Sequence, residues 1–149
     1  TISSAHHIET DIIKRSSYAA GIKNGNNQNR LEFITNIVDN DYTVCMRGGG
    51  NYSIRFYETL CLGRIPIMIN TDCKLPFEEK INWKEICVWI DENDSMRIND
   101  VIIDYHNNIT EKQFIERQNY CREIWVKYLS KEGFYNQFYS YLKQNYVKS

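Results

Sequence analysis

Glycine and proline are scarce in this sequence of 149 residues, which contains seven glycines and two prolines. No Pro-rich or Ser-rich linker and no internal repeat divides it, so the length suits a single domain with one hydrophobic core. Net charge is also small, at a formal value of -1. A chain this close to neutrality gives no electrostatic reason to expect nucleic acid or an anionic membrane as a partner.

Long apolar runs are missing as well. None approaches the roughly 20 residues needed to cross a bilayer, so we expect no membrane span in this piece. The N-terminal residues also lack the charged and then apolar pattern of a signal peptide. The sequence begins with Thr1 rather than Met, which favours a piece cut from a longer polypeptide. We therefore expect one domain over residues 1–149, as a fragment.

Paired cysteine motifs are absent. The five cysteines are scattered without C-x-x-C spacing, and most stand in apolar stretches, which is typical of buried reduced thiols. The neighbouring His6 and His7 have no Cys or carboxylate at metal-ligand spacing. The sequence therefore predicts neither a metal site nor a cofactor.

What the sequence does contain is a pattern of strand, helix and strand in its middle third. Three apolar runs, residues 42–46, 65–70 and 86–90, predict strands. They show no polar alternation, as is typical of parallel strands covered on both faces. Residues 53–62 predict an amphipathic helix that ends at Gly63. Its predicted apolar side contains Ile54, Phe56, Tyr57, Leu60 and Cys61, and its polar side Arg55, Glu58 and Thr59.

Further predicted helices flank this unit. Residues 30–38 and 96–106 show helical spacing of apolar residues, and residues 108–111 introduce a longer helix. A final helix is predicted after Gly133, with an aromatic stripe in the core. The stripe contains Phe134, Phe138, Tyr141 and Leu142. The fold class is therefore α/β, a Rossmann-like parallel sheet flanked by helices.

Three of the seven glycines stand together, directly after the first predicted strand. In a strand-loop-helix unit this loop opens at the carboxyl edge of the sheet, where ligands of open α/β folds bind. Gly48, Gly49 and Gly50 permit positive φ and close approach of a ligand to the backbone N–H groups. Together with the first-turn amides near Ser53, these groups form a partial positive charge that suits a phosphate or diphosphate.

Charged residues bracket the glycine turn. Arg47 precedes it and Arg55 stands in the first helical turn, where guanidinium groups can grip phosphate oxygens. Glu58 would repel phosphate and is better suited to sugar hydroxyls. The alternative is a surface ion pair between Arg55 and Glu58, beside a loop that only turns a corner. The residue pattern leaves both interpretations open, although the loop is not a P-loop, because no Gly-Lys-Ser/Thr follows it.

The stretch MRGGGNYSIRFYETLCLGRIPIMIN at residues 46–70 is followed by Leu75-Pro76-Phe77 and Trp83. This order of residues resembles the exostosin-like family of glycosyltransferases, whose signature RG…S.R..E.L..G..P precedes an LPF element and a tryptophan. The resemblance covers residues 42–90 well. It implies the C-terminal, nucleotide-sugar-binding half of a GT-B glycosyltransferase, with the N-terminal acceptor domain outside this chain.

The resemblance also implies roles for the matching residues. Arg47 and Arg55 would be catalytic, stabilising the departing nucleoside diphosphate in place of a metal ion, and Glu58 would bind ribose or sugar hydroxyls. The donor-binding residues would be Arg47, Gly48, Gly49, Gly50, Asn51, Ser53, Arg55 and Glu58.

The function implied is transfer of a sugar from a nucleoside diphosphate sugar to a glycan or polysaccharide acceptor. One alternative is a non-catalytic nucleotide- or glycan-binding domain of the same fold. Another phosphoryl-handling enzyme is a weaker alternative, because no acidic metal-binding motif accompanies the turn. The sequence Asn51-Tyr52-Ser53 is also a formal glycosylation sequon inside the expected site. A glycan there would block it, which favours a cytoplasmic location over a Golgi lumen.

Overall fold

The computed structural model describes residues 8–14 and 27–146. Helices and strands alternate in its first half, and helices alone make up its C-terminal part. In chain order these elements are α1 (Asn27–Val38), β1 (Tyr42–Cys45), α2 (Ile54–Cys61), β2 (Ile65–Asn70), α3 (Trp83–Ile86), β3 (Val88–Asp91), a 3₁₀ helix (Glu92–Arg97), α4 (Ile98–Asn107), α5 (Glu111–Ile124), a π-helical turn (Trp125–Leu129) and α6 (Lys131–Tyr146).

The three strands form one parallel sheet in the order β1-β2-β3. Val44, Ile67 and Val88 lie side by side across it. Parallel neighbours need a crossover connection, and α2 provides the one between β1 and β2. The central strand β2 is buried over its first five residues. The prediction of a Rossmann-like α/β arrangement with a parallel sheet is therefore confirmed.

The two outer strands differ from the prediction that all strands are covered on both faces. Buried and more exposed residues alternate along β1 and β3, and Val44 is 36% exposed. Among the described residues each outer strand has one strand neighbour, so alternate side chains meet less protein than those of β2. The third strand also begins later than predicted, at Val88, because Ile86 belongs to α3.

Helix α2 lies against the sheet, where it contacts β1 and β2. Phe56 and Leu60 of this helix are fully buried. The ring of Phe56 meets that of Trp83 edge to face, with centroids 5.4 Å apart. Gly63 follows the helix with a φ of 64°, a left-handed conformation that glycine adopts without a steric penalty. The predicted helix and its glycine stop are therefore confirmed.

The predicted faces of α2 were wrong at two positions. Ile54, expected on the apolar side, is 62% exposed, whereas Thr59, expected on the polar side, is fully buried. The Thr59 hydroxyl donates to the Arg55 carbonyl oxygen at 2.7 Å. Because this local bond satisfies its hydroxyl, threonine tolerates a position in the core.

The C-terminal helix α6 begins at Lys131, ahead of the glycine that was predicted to precede it. Gly133 lies inside the helix, where an added Cβ would stand 2.3 Å from the Val126 carbonyl oxygen. The aromatic stripe of α6 is not core, since Phe134 and Phe138 are 46% and 48% exposed. Helical spacing correctly places these rings on one side but does not reveal whether anything covers that side.

The cysteines are unpaired, as the sequence predicts. Cys61 is partly exposed and the other four are buried. Burial raises the pKa of the Cys45 and Cys121 thiols to about 12. These two thiols therefore remain protonated, weakly reactive core side chains at neutral pH.

Two absences characterise the described part of the chain. No helix in it is long and apolar enough to span a membrane. No group of three or more His, Cys, Asp or Glu side chains in the same residues is arranged to hold a metal ion. His6 and His7 lie outside the described residues.

Candidate functional site

The loops that follow the three strands meet at the carboxyl edge of the sheet. Asn51 Nδ2, in the loop after β1, donates to the Thr71 carbonyl oxygen after β2 at 2.9 Å. Thr71 Oγ1 donates in return to Asn51 Oδ1 at 2.5 Å. Asn70 Nδ2, at the end of β2, donates to Asp91 Oδ1 at the end of β3 at 2.8 Å. These bonds hold the glycine turn against the rest of the edge.

Asp91 is an acceptor for two donors at this edge. Besides Asn70, the Trp89 indole N–H donates to its Oδ1 at 3.2 Å. The bond from Asn70, and to a smaller extent that from Trp89, lowers the pKa of the Asp91 carboxyl. The carboxylate is therefore ionised at neutral pH and fixes the positions of both neighbouring side chains.

The glycine turn leaves part of its backbone without internal partners. The Gly48 N–H donates to the Tyr52 carbonyl oxygen at 3.1 Å, and the Tyr52 N–H donates to that of Gly50 at 2.9 Å. Among the described residues, the N–H groups of Gly49, Gly50 and Asn51 have no acceptor. The turn therefore offers three backbone donors, although Gly48 is not one of them.

None of the three glycines of the turn uses the positive φ that glycine permits. Gly63 is the one glycine of the described segments with a positive φ. What the turn gains from glycine is access to its backbone. An added Cβ at Gly49 would have no atom within 4 Å, so the space beside this peptide is open to a ligand.

The N-terminus of α2 continues this row of backbone donors. Ser53 occupies the N-cap position with extended backbone angles, but its side chain makes no capping hydrogen bond. The first-turn amides of α2 therefore have no side-chain acceptor from the N-cap residue. The partial positive charge of the helix end adds to that of the glycine turn.

An open cavity of about 1840 Å³ lies beside the turn and α2. Its volume exceeds the roughly 300–1,000 Å³ of a typical ligand site, because it runs on along β1 to Tyr42 and His106. Arg47, Gly50 and Asn51 are not among its lining residues. The predicted site residues that do line it are Gly48, Gly49, Ser53, Arg55 and Glu58.

Arg47, the first residue of the motif, does not line that cavity. Its Nη2 lies 4.0 Å from Glu92 Oε1, and both side chains are more than half exposed. A surface ion pair of this kind contributes little to stability. Arg47 is therefore held loosely, above the carboxyl edge of the sheet.

Arg55 and Glu58 are engaged by α1, an element that the sequence motif does not include. The Arg55 guanidinium carbon lies 4.8 Å from the centroid of the Phe33 ring. Glu58 Oε1 accepts from Arg30 Nη1 at 2.8 Å. The surface ion pair between Arg55 and Glu58, the alternative that the sequence left open, is not formed. Sequence reasoning missed Arg30 and Phe33, because no local pattern connects α1 with a helix that begins 16 residues after it.

Comparison with known proteins identifies the family of this chain. The model of the exostosin GT47 domain matches residues 3–105, which is more than half of the chain. The chain belongs to the exostosin GT47 family. The match includes the glycine turn, the whole of α2 and the three strands.

Individual relatives agree with this membership. Exostosin-1 of Drosophila melanogaster is 27% identical over 99 residues, which are 66% of this chain and 12% of the relative. A probable glucuronosyltransferase of Oryza sativa subsp. japonica is 36% identical over 61 residues, 41% of this chain and 14% of its own length. A probable beta-1,4-xylosyltransferase of Arabidopsis thaliana is 38% identical over 53 residues, 36% of this chain and 13% of the relative. This member of the family therefore spans only a small part of the relatives that it matches.

Proposed function

We propose that this chain is the donor-binding part of a glycosyltransferase that transfers a sugar from a nucleoside diphosphate sugar to a glycan acceptor. Membership of the exostosin GT47 family supports this activity. The observation that carries the assignment of the site is the row of unpaired amides at Gly49, Gly50 and Asn51, of which Gly49 lines the cavity together with Arg55. A diphosphate is the group in the donor that such a row fits.

In this proposal the turn and the first turn of α2 bind the diphosphate oxygens through backbone N–H groups. Arg55 adds a guanidinium from the wall of the cavity, and Arg47 reaches over from the rim by leaving Glu92. Gly48 contributes the shape of the turn, since its own N–H donates to Tyr52. Asn51 contributes its backbone amide, while its side chain anchors the turn to Thr71.

Glu58 has a different role in the proposal. Its carboxylate lies in the cavity wall, paired with Arg30 at 2.8 Å and 26% exposed. A carboxylate accepts hydrogen bonds from hydroxyl groups and repels phosphate. Glu58 therefore binds ribose or sugar hydroxyls, while the neighbouring amides and Arg55 bind the diphosphate.

The reaction needs positive charge close to the leaving group. When the bond to the sugar breaks, negative charge develops on the departing nucleoside diphosphate, and fixed donors aimed at it lower the barrier. Backbone amides, Arg47 and Arg55 can supply these donors. We therefore propose a metal-independent reaction in a GT-B arrangement, with the acceptor domain and any general base supplied from outside this chain.

The sequon at Asn51 supports a location without N-glycosylation. Asn51 Nδ2, the atom that would carry a glycan, donates to the Thr71 carbonyl oxygen. A glycan on this nitrogen would displace the turn from the edge of the sheet. We therefore propose a cytoplasmic enzyme.

Titration calorimetry with UDP and GDP tests the donor site. We expect saturable binding of at least one of them to the unmodified chain. Arg55→Ala is expected to weaken binding about tenfold or more, since a charge-assisted hydrogen bond contributes about 1.5–3 kcal/mol. Gly49→Ala should also weaken binding without unfolding the chain, because its methyl group meets no protein atom but fills the space of the ligand.

Lys112→Ala is the matched control. It removes a cation from an exposed pair with Glu116 on α5, so it should leave nucleotide binding unchanged. Binding by Arg55→Ala equal to that of the control would contradict the proposed site. For the reaction, a transfer assay on the complete polypeptide with EDTA should retain full activity, and loss of activity that Mg²⁺ restores would refute metal independence.

A further inference from the structure

Arg30 is a charged residue of the cavity wall that lies outside the sequence motif. It lies in α1 and pairs with Glu58 of α2, Nη1 to Oε1, at 2.8 Å. Its guanidinium carbon also lies 5.4 Å from the centroid of the Phe33 ring. Both members of the ion pair line the cavity together with Arg55.

The pair matters because Glu58 has a second cation within reach. Arg55 precedes Glu58 by three residues on the same helix, a spacing at which opposite charges pair on a helix surface. In the structure Glu58 pairs with Arg30, and no carboxylate of the described residues lies within 4.0 Å of Arg55. The guanidinium of Arg55 lies instead against the Phe33 ring, 4.8 Å from its centroid. An aromatic ring holds a guanidinium in place but leaves its N–H groups unoccupied.

We propose that Arg30 is a positioning residue that keeps Glu58 away from Arg55 and so keeps Arg55 available for the diphosphate. The inference rests on the proposed function. An anion that binds Arg55 must compete with any carboxylate already paired with it. By taking that carboxylate, Arg30 removes the competitor and also fixes the oxygen that faces the sugar hydroxyls.

A double-mutant cycle with inorganic pyrophosphate as the probe tests this arrangement. Pyrophosphate has no ribose or sugar, so it does not report the hydroxyl-binding role of Glu58. Arg30→Ala is expected to weaken pyrophosphate binding about fivefold, since residues in one ion-pair network couple measurably. Glu58→Ala alone should change it less than about twofold, because in the unmodified chain Arg30 already keeps Glu58 away from Arg55. In the double variant the affinity should return to within about twofold of the unmodified chain.

The decisive quantity is the difference between the effect of the double variant on pyrophosphate affinity and the sum of the two single effects, expressed as free energies. If Arg30 acted only by long-range attraction of the anion, Glu58→Ala would strengthen binding by the same factor in both backgrounds, and the proposal would be wrong. If Arg30 itself contacted the phosphate, the double variant would bind as weakly as Arg30→Ala, which would also overturn it. Arg30→Lys keeps a cation beside Glu58 and is expected to bind pyrophosphate like the unmodified chain.

Two outcomes of these binding experiments separate this inference from the proposed function. If the unmodified chain binds neither pyrophosphate nor any nucleoside diphosphate, the proposed function fails, and this inference with it. If it binds them and Arg30→Ala has no effect, the inference alone fails. Should Arg30→Ala not fold, Arg30→Gln retains the length of the side chain beside Phe33, and the same cycle is run with it. Circular dichroism of each variant confirms that the fold is retained.

Discussion

Removing the Asn51 side chain tests whether the glycine turn must be held in place to bind a nucleotide. Asn51→Ala deletes both hydrogen bonds to Thr71, at 2.9 and 2.5 Å. The backbone N–H groups of the turn are left unchanged in number. Any loss of affinity therefore reports the position of the turn and not the loss of a donor.

The size of the effect follows from these bonds. A net contribution of about 0.5–1.5 kcal/mol per hydrogen bond gives about 1–3 kcal/mol for the pair. Both bonds lie at an exposed edge, where water replaces them, so the lower end of that range applies. About 1 kcal/mol corresponds to a factor of roughly five in the equilibrium constant between the ordered and disordered turn, and this factor is the upper bound on the loss of apparent affinity.

The assay is calorimetric titration with the nucleoside diphosphate that the unmodified chain binds. Thr71→Val removes one of the two bonds and should have a smaller effect, whereas combining it with Asn51→Ala should add nothing further. Asn108→Ala is the control, since it deletes an exposed asparagine bond to the Asp104 carbonyl oxygen, away from the site. Affinity of Asn51→Ala within error of that control would refute the argument that the bridge orders the turn.

Two further predictions concern stability, measured by urea unfolding. Phe56→Ala empties a fully buried site and should lower the free energy of unfolding by about 3–5 kcal/mol. Phe138→Ala, at a site 48% exposed, should lower it by less than about 1 kcal/mol. Equal losses would contradict the assignment of the core. Burial raises the pKa of Cys45 and Cys121 to about 12, so stability should be complete below about pH 9 and fall as pH rises towards 12, because only the unfolded thiols ionise there. Unchanged or greater stability at pH 10.5 would oppose this.

The order of the central elements could be predicted from the sequence because their signals are local. Apolar runs, amphipathic spacing and Gly63 lie within or next to the elements that they specify, so β1, α2 and β2 were predicted within about two residues. Burial was predicted less well. The exposure of Ile54 and of the α6 rings depends on what covers them, which no local pattern contains.

The candidate site likewise has features that local sequence patterns predict and others that depend on the tertiary fold. The glycine turn and the charged residues of α2 stand together in the sequence, and the structure places Gly49, Arg55 and Glu58 along one cavity. Their partners could not be predicted, because Arg30 and Glu92 come from distant elements that only the tertiary fold brings near. The same limit applies to Thr71, which anchors the turn through a contact across 20 residues of sequence.

In the first turn of α6, the backbone around Gly133 lies directly against that of the π-helical turn, with no side chain between them. Two chain segments packed this closely cannot change their angle without a collision of main-chain atoms. α5, the π-helical turn and α6 therefore keep a fixed arrangement, and α5 packs against α2 and β2. A molecule that contacts the rings of α6 is therefore bound to a helix that packs, through the π-helical turn and α5, against α2 at the proposed nucleotide site.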